Sequence, residues 1–167
     1  MNTKSHIRKT FCLHPVGKIS RTDNGITLEI FEPYRPGLKG LGGFSHVIVL
    51  WWVSQHDNEE SRSILQVEPP YAKGRRSGVF ACRAPLRPNP IAVTTCELLE
   101  VDEREGIVRI KNIDAFDGTP IIDLKAYFPV SDRVKNASIP ESLSDWPEWI
   151  PEEGLGLDRQ DCGDSAE

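Results

Sequence analysis

One proline-rich loop carries the residues with the clearest capacity for chemistry. Between Arg83 and Pro90 the chain places two arginines, one asparagine and three prolines in eight residues. Prolines fix φ and remove backbone donors, so this segment is neither a helix nor an inner strand. Apolar, strand-like runs flank it on both sides. The pattern predicts a stiff polar loop on a rigid scaffold, which is a common way to hold functional side chains.

The charge around this loop is strongly positive. No acidic residue occurs from Pro69 to Cys96, although the whole chain has a net charge of −5. The net charge argues against a protein that coats nucleic acid non-specifically. Two interpretations stay open, a solvated basic loop or a site for an anionic ligand or a phosphate backbone. The basic residues concerned are Lys73, Arg75, Arg76, Arg83 and Arg87.

A second polar cluster lies further along the chain. Asp114, Asp117 and Asp123 fall within ten residues, among apolar neighbours. Residues 117–120 read Asp-Gly-Thr-Pro, which is typical of a turn. Buried carboxylates need partners, and Arg83 and Arg87 are the expected ones. The cluster is either an ion-pair network with these arginines or a ligand site shared with them.

Metal and nucleotide-loop chemistry find no support in the sequence. The four histidines and four cysteines show no metal-ligand spacing, and we predict no metal site. The glycine-rich residues 37–43 match neither the dinucleotide-binding fingerprint nor a phosphate-binding loop. We interpret them as a close approach to the next strand.

Short apolar or alternating runs predict a mainly β protein, a small antiparallel barrel or a sandwich with a few short helical turns. Residues 47–53 are apolar on both faces, which is typical of a central strand. Helical turns are expected only within 36–42 and 140–149. The predicted strands are 11–19, 25–31, 46–53, 78–82, 91–101, 106–113 and 124–128.

The length of 167 residues fits one domain. We expect an N-terminal arm at 1–10, a barrel domain at 11–135 and an extension at 136–167, of which 154–167 is disordered. No window approaches the roughly 18 apolar residues of a membrane span, and the first residues lack a secretory apolar core. A cytoplasmic protein without membrane association is predicted.

Five motifs, in order, resemble the TsaA-like family of S-adenosylmethionine-dependent methyltransferases, also called the TrmO family. The pair R-x-P-x-R-P-N-P-I and D-G-T-P-x-x-D-x-K is specific, and the resemblance covers about residues 13–134. It implies an S-adenosylmethionine-binding β-barrel that forms a homodimer. It also implies methyl transfer to the exocyclic amine of threonylcarbamoyl-adenosine in the tRNA anticodon loop. The motifs are residues 15–19, 41–47, 78–83, 87–91 and 117–129.

The resemblance also implies a cofactor site. The positions that match family cofactor contacts are Ser54, Gln55, Arg83, Asp117, Gly118, Thr119 and Pro120. To these we add Asn89, which is held between two prolines and can either offer its amide to an adenine edge or clamp the adjoining loops. Asp117 is the candidate proton acceptor. We assign substrate contacts to the basic segment, with Lys73, Arg75, Arg76 and Arg87 as the residues.

Three departures from the family pattern bear on the substrate. Ser54 and Gln55 stand where the family usually has His-Gln, and an insertion after the first strand is missing. The chain also ends before the second domain of the familiar bacterial enzyme. Besides tRNA methylation, two alternatives therefore stay open, a small-molecule or other RNA acceptor, and S-adenosylmethionine binding without catalysis.

Overall fold

The computed structural model describes residues 10–72 and 74–150, and it contains a closed antiparallel barrel of six strands. Around the barrel the order is β1-β2-β7-β6-β3-β8, and β4 pairs with β5 in a separate two-stranded sheet. The predicted mainly β barrel is confirmed. The strands are β1 (Gly17–Thr22), β2 (Gly25–Ile30), β3 (His46–Trp52), β4 (Gln66–Val67), β5 (Ser77–Gly78), β6 (Ile91–Asp102), β7 (Ile107–Ile110) and β8 (Pro120–Ala126).

The helical elements within the described residues are short. Two are α-helices, α1 (Glu59–Ser63) and α2 (Pro129–Asp132), and neither was predicted. The predicted strand at 78–82 is wrong beyond Gly78, because the chain turns into a 3-10 segment that buries Val79 and leaves Phe80 84% exposed. The 3-10 segments are Glu32–Leu38, Leu41–Gly43, Ser54–His56, Pro70–Ala72, Val79–Ala81 and Glu141–Leu143.

Strand β3 pairs along its length with β6 on one side and with β8 on the other. Val47 and Val49 are fully buried inside the barrel, and Val47 lies opposite the buried Cys96. Because strand side chains alternate, Ile48, Leu50 and Trp52 face outward. The inner side chains of β3 thus fill the core, and its outer apolar side chains are half-buried. Burial raises the pKa of the Cys96 thiol to about 12.

The barrel has two ends, which we name from β3. The upper end is where β3 finishes at Trp52 and where β6 and β8 begin. The lower end is where β3 begins, and the 3-10 segments between β2 and β3 cover it with the buried Leu38 and Leu41. The β6–β7 hairpin also lies at the lower end, with Gly106 at φ +75° in the predicted turn.

Candidate active site

Three predicted functional segments meet at the upper end of the barrel. Ser54 and Gln55 follow β3 directly, Asn89 precedes β6, and the turn at 117–120 leads into β8. The strand register brings these segments together, because Trp52 pairs with Ile91 of β6 and Trp51 pairs with Ile121 of β8. Parts of the chain that are far apart in sequence thus form one polar rim.

The Asp-Gly-Thr-Pro segment is a hydrogen-bonded turn joined to β1. The amide of Thr119 donates to the carbonyl of Phe116 at 3.2 Å, and Gly118 has φ +75°. A glycine at the third position with positive φ matches a type II turn. Two further bonds link the turn to Ile19, from Gly118 N at 2.8 Å and to Thr119 O at 2.9 Å. A Cβ added at Gly118 would meet no atom within 4 Å, so its face is open.

The partners of the aspartates differ from the expected arginines. Oδ1 of Asp117 accepts a hydrogen bond from the backbone amide of Arg21 at 2.8 Å. Asp123 forms an ion pair with Lys125 at 2.7 Å, and this contact raises the pKa of Lys125. The expectation that Arg83 or Arg87 pairs with these two carboxylates is therefore wrong. A backbone amide of β1 is the partner of Asp117, and a lysine of the same strand is the partner of Asp123.

Hydrogen bonds to its backbone carbonyls hold the proline-rich loop in place. Arg87 Nη1 donates to Ala84 O at 3.3 Å within the loop. From outside, Arg62 Nη1 donates to Pro88 O at 2.9 Å. The Val53 amide donates to the carbonyl of Pro90 at 2.8 Å. The predicted stiffness of this loop thus has a structural basis beyond its prolines.

Arg62 is itself held by a small network that the sequence did not reveal. Asp57 accepts from Arg62 Nε at 2.7 Å and from Trp52 Nε1 at 3.0 Å. These hydrogen bonds, with that from Arg62 the larger influence, lower the pKa of Asp57. The Arg62 guanidinium also lies 5.5 Å from the centre of the Trp52 ring. Arg62 and Pro88 are 26 positions apart, and no motif joins them.

The predicted site residues are largely open to solvent in the single chain. Thr119 and Pro120 are half-buried, and the remaining cofactor-contact residues are exposed: Ser54, Gln55, Arg83, Asn89, Asp117 and Gly118. Within residues 10–72 and 74–150, Arg83 makes no hydrogen bond or ion pair, and its guanidinium is available to a ligand. Arg75 and Arg76 are exposed, Arg87 is half-buried, and Lys73 lies outside the described residues.

A cavity of about 520 Å³ lies elsewhere, toward the lower end of the barrel. Its lining is mainly apolar, and it contains none of the predicted cofactor or substrate contacts. The one carboxylate that lines it, Asp123, already pairs with Lys125. We therefore assign the candidate site to the upper end, where exposed polar groups converge. The cavity lining includes Val16, Ile30, Tyr34, Leu38, Phe44 and Leu124.

Two further findings concern metals and membranes. Within the described part of the chain, no cluster of three histidine, cysteine, aspartate or glutamate side chains has the geometry of a metal site. Among the helices of residues 10–72 and 74–150, none combines the length and the apolar character needed to cross a bilayer.

Proteins of other organisms are similar to this chain over two thirds of its length or more. A protein of Archaeoglobus fulgidus named "Probable S-adenosyl-L-methionine-binding protein" is 43% identical over 114 residues, covering 68% of this chain and 29% of that protein. The tRNA (adenine(37)-N6)-methyltransferase of Escherichia coli is 33% identical over 140 residues, covering 81% of this chain and 58% of the enzyme.

The fold is shared as well. The crystal structure of TrmO from Pseudomonas aeruginosa matches with a TM-score of 0.60 at 28% identity, covering 78% of this chain and 62% of that one. This chain thus spans less than two thirds of the length of each of these three proteins. Residues 10–133 match the family described as the tRNA-methyltransferase O N-terminal domain. The chain belongs to that family.

Proposed function

We propose that this protein is an S-adenosylmethionine-dependent methyltransferase whose acceptor is the exocyclic amine of threonylcarbamoyl-adenosine in the anticodon loop of tRNA. The observation that carries the proposal is the polar rim at the upper end, where the segments after β3, before β6 and before β8 meet. The family match and the names of the relatives support it.

The proposed site residues fit the cofactor. Arg83 offers a charged donor fork that suits a carboxylate, and no group within the described residues occupies it. Gly118 leaves its face of the turn open, so a ligand can approach the backbone there. Ser54, Gln55 and Asn89 add exposed hydroxyl and amide groups on the same rim. Together with Thr119 and Pro120, these residues form the proposed cofactor site.

Asp117 is the proposed proton acceptor. When bound, S-adenosylmethionine supplies an electrophilic methyl group for in-line displacement, which requires aligned reactants. Oδ1 of Asp117 is engaged by the Arg21 amide, whereas Oδ2 accepts no hydrogen bond from the described residues. Oδ2 is thus free to take the proton from the acceptor amine. The strand-anchored Oδ1 keeps the carboxylate in one orientation while this happens.

The basic segment is the proposed contact for substrate phosphate. Arg75 and Arg76 are exposed and make no ion pair within the described residues. Arg87 is half-buried and uses one nitrogen for the Ala84 carbonyl, so its remaining donors can contact phosphate. Lys73 belongs to the same segment by sequence. Each phosphate contact of this kind makes binding weaker as salt rises.

A second copy of the chain is proposed to complete the site. The site residues are open on a single chain, and the outer face of β3 and β6 beside them is apolar. Val93, which pairs with Leu50 on this face, is 42% exposed. If this face packed against the same face of a second copy, the partner would cover the open side of the site. Apolar surface would also be removed from water. Light scattering is expected to give a dimer, and a monomer that binds the cofactor tightly contradicts this part of the proposal.

We also propose that the protein works in the cytoplasm. The cysteines within the described residues, Cys12, Cys82 and Cys96, are free thiols. Free thiols persist in reducing compartments. This location also fits an acceptor in tRNA.

Transfer of a labelled methyl group tests the function. The purified protein is mixed with methyl-labelled S-adenosylmethionine and total tRNA from cells that lack the gene. The expected result is label on the threonylcarbamoyl-adenosine next to the anticodon. Label on another RNA or on a small molecule would show that the acceptor is different, while the protein would still be a methyltransferase. Cofactor binding without any transfer would overturn the enzymatic proposal and favour a binding protein.

A further inference from the structure

We propose that Arg21 is a positioning residue that holds the Asp117 turn in the geometry required for cofactor binding. The inference rests on the proposed function, because the turn matters only if it contacts the cofactor. Arg21 does not match any motif in the sequence, and it lies near the end of β1.

Three hydrogen bonds from Arg21 converge on the chain that leads into the turn. Its backbone amide donates to Asp117 Oδ1 at 2.8 Å. Its side-chain Nε donates to Ala115 O at 2.6 Å, and Nη2 donates to Ile113 O. One residue thus contacts alternate positions of a segment that belongs to no strand. Its own position is fixed by pairing with Ile26 of β2.

The guanidinium group is suited to this task. Its donors lie in a rigid plane, so a single side chain can satisfy two carbonyls at once, which a lysine ammonium does not reproduce. The carbonyls belong to Ile113 and Ala115, which are 4% and 7% exposed, so water has limited access to replace the arginine. The side chain therefore fixes the path of the segment immediately before Asp117.

Small displacements at a binding turn have large effects on function. A shift of about 1 Å in a positioned group can reduce activity by about a hundredfold. Without the side chain of Arg21, the turn would depend on its bonds to the backbone of Ile19 and Arg21, and these would open more often because the preceding residues are no longer held. We therefore expect the loss of Arg21 to affect the position of Asp117 more than the stability of the barrel.

Arg35 is a matched control at the lower end. Its guanidinium also donates to two backbone carbonyls, Ile30 O at 3.4 Å and Arg104 O at 3.1 Å. Arg35 thus bridges two carbonyls as Arg21 does, but it lies away from the proposed site. A role in stability alone predicts that replacing either arginine has the same consequences for cofactor binding.

The test compares Arg21→Ala with Arg35→Ala by calorimetric titration with S-adenosylmethionine. Both variants should lower the melting temperature by similar amounts. Arg21→Ala is expected to raise the Kd for the cofactor at least about tenfold, and Arg35→Ala to leave it within about twofold. If Arg21→Ala does not fold, Arg21→Lys is used in its place, and it is also expected to raise the Kd. Equal Kd values for the Arg21 variant and the Arg35 variant would overturn the proposal.

Amide hydrogen exchange without cofactor gives an independent readout. Gly118 donates its amide hydrogen to Ile19 O, so its exchange reports on the turn. Exchange at Gly118 should be faster in the Arg21 variants and unchanged in Arg35→Ala. Unchanged exchange in the Arg21 variants would contradict the inference. A wild-type protein that binds no S-adenosylmethionine would instead refute the proposed function, and the exchange result would still decide the role of Arg21.

Discussion

The two ends of the barrel are closed in different ways. At the lower end, the buried Leu38 and Leu41 cover the core, and an apolar cavity lies beside them. At the upper end, turns and loops are held by hydrogen bonds from Arg21 and Arg62, and the polar groups point into solvent. The lower end has the volume of a ligand site, whereas the upper end carries the exposed polar groups of the proposed site. The side chains that line each end, and not cavity volume, therefore decide where the proposed site lies.

Asp117→Asn is expected to have the largest effect at the upper end. Asparagine keeps an oxygen that can accept from the Arg21 amide, so the turn and the melting temperature should change little. The second oxygen and the negative charge are lost, and most cofactor binding or methyl transfer should disappear. Calorimetry and the labelled-methyl assay measure the two effects separately.

The pattern of loss assigns the role of Asp117. Loss of transfer with binding retained identifies it as the proton acceptor. Loss of binding identifies it as a cofactor contact. If Asp117→Asn binds and transfers at the wild-type level, Asp117 only shapes the turn. The proposed functional difference between the two ends would then lose its support.

Arg83→Ala is expected to weaken cofactor affinity at least about tenfold without unfolding the protein. A hydrogen bond to a charged group contributes about 1.5–3 kcal/mol, which corresponds to that factor or more. Arg83 has no partner within the described residues, so its removal leaves no other group unsatisfied there. Calorimetry together with a thermal melt checks this prediction. An unchanged Kd would remove Arg83 from the proposed cofactor site.

Two glycines with the same backbone conformation allow a direct comparison of the ends. Gly106 and Gly118 both have φ +75°, so alanine is strained at either position, by about 1–2 kcal/mol. At Gly106 the new Cβ would also lie 2.7 Å from Ile30 O and 2.6 Å from Arg35 Nε. Gly106→Ala should therefore lower the free energy of unfolding more than Gly118→Ala, as measured in urea. Gly118→Ala, in turn, should weaken cofactor binding more. Equal losses of stability would show that the lower turn can relax.

The smallest expected effect concerns Asp57, which supports Arg62 beneath the proline-rich loop. Its pKa is lower in the folded protein than the usual 3.8, chiefly because Arg62 donates a hydrogen bond to it. The carboxylate therefore stabilises the fold above its unfolded pKa, and this contribution disappears as the pH falls through the folded pKa. The effect should be small, because exposed ion pairs contribute little.

Thermal melts of wild type and Asp57→Asn measure this contribution. The wild type should be more stable near neutral pH, and the difference should shrink in acid below the usual carboxyl pKa. A difference that is independent of pH would show that Asp57 acts through packing alone.

The sequence predicted the barrel because short alternating runs and turn glycines are local signals. Gly106 illustrates this, since its predicted turn is present with positive φ. The apolar run at 78–82 misled the prediction, because sequence alone does not distinguish a short strand from a 3-10 turn with one buried residue, Val79. The motifs marked the loop and the turn of the candidate site.

The supports of the site could not be read from the sequence. Arg21 contacts residues more than 90 positions away, and Arg62 reaches Pro88 from a helix that no periodicity predicted. Asp117 was misassigned for the same reason, because its partner is the backbone amide of Arg21. Asp123 was misassigned although its partner, Lys125, lies only two positions away on the same strand. Contacts of this kind depend on the strand register, which is set by the whole barrel and not by any local pattern.

Hydrogen exchange measured by mass spectrometry, with and without S-adenosylmethionine, tests the central claim most directly. Binding at the upper end predicts slower exchange in residues 53–55, 83–90 and 116–120, with no change in residues 32–44 beside the lower cavity. Slower exchange confined to residues 32–44 would place the cofactor in the apolar cavity and contradict the account.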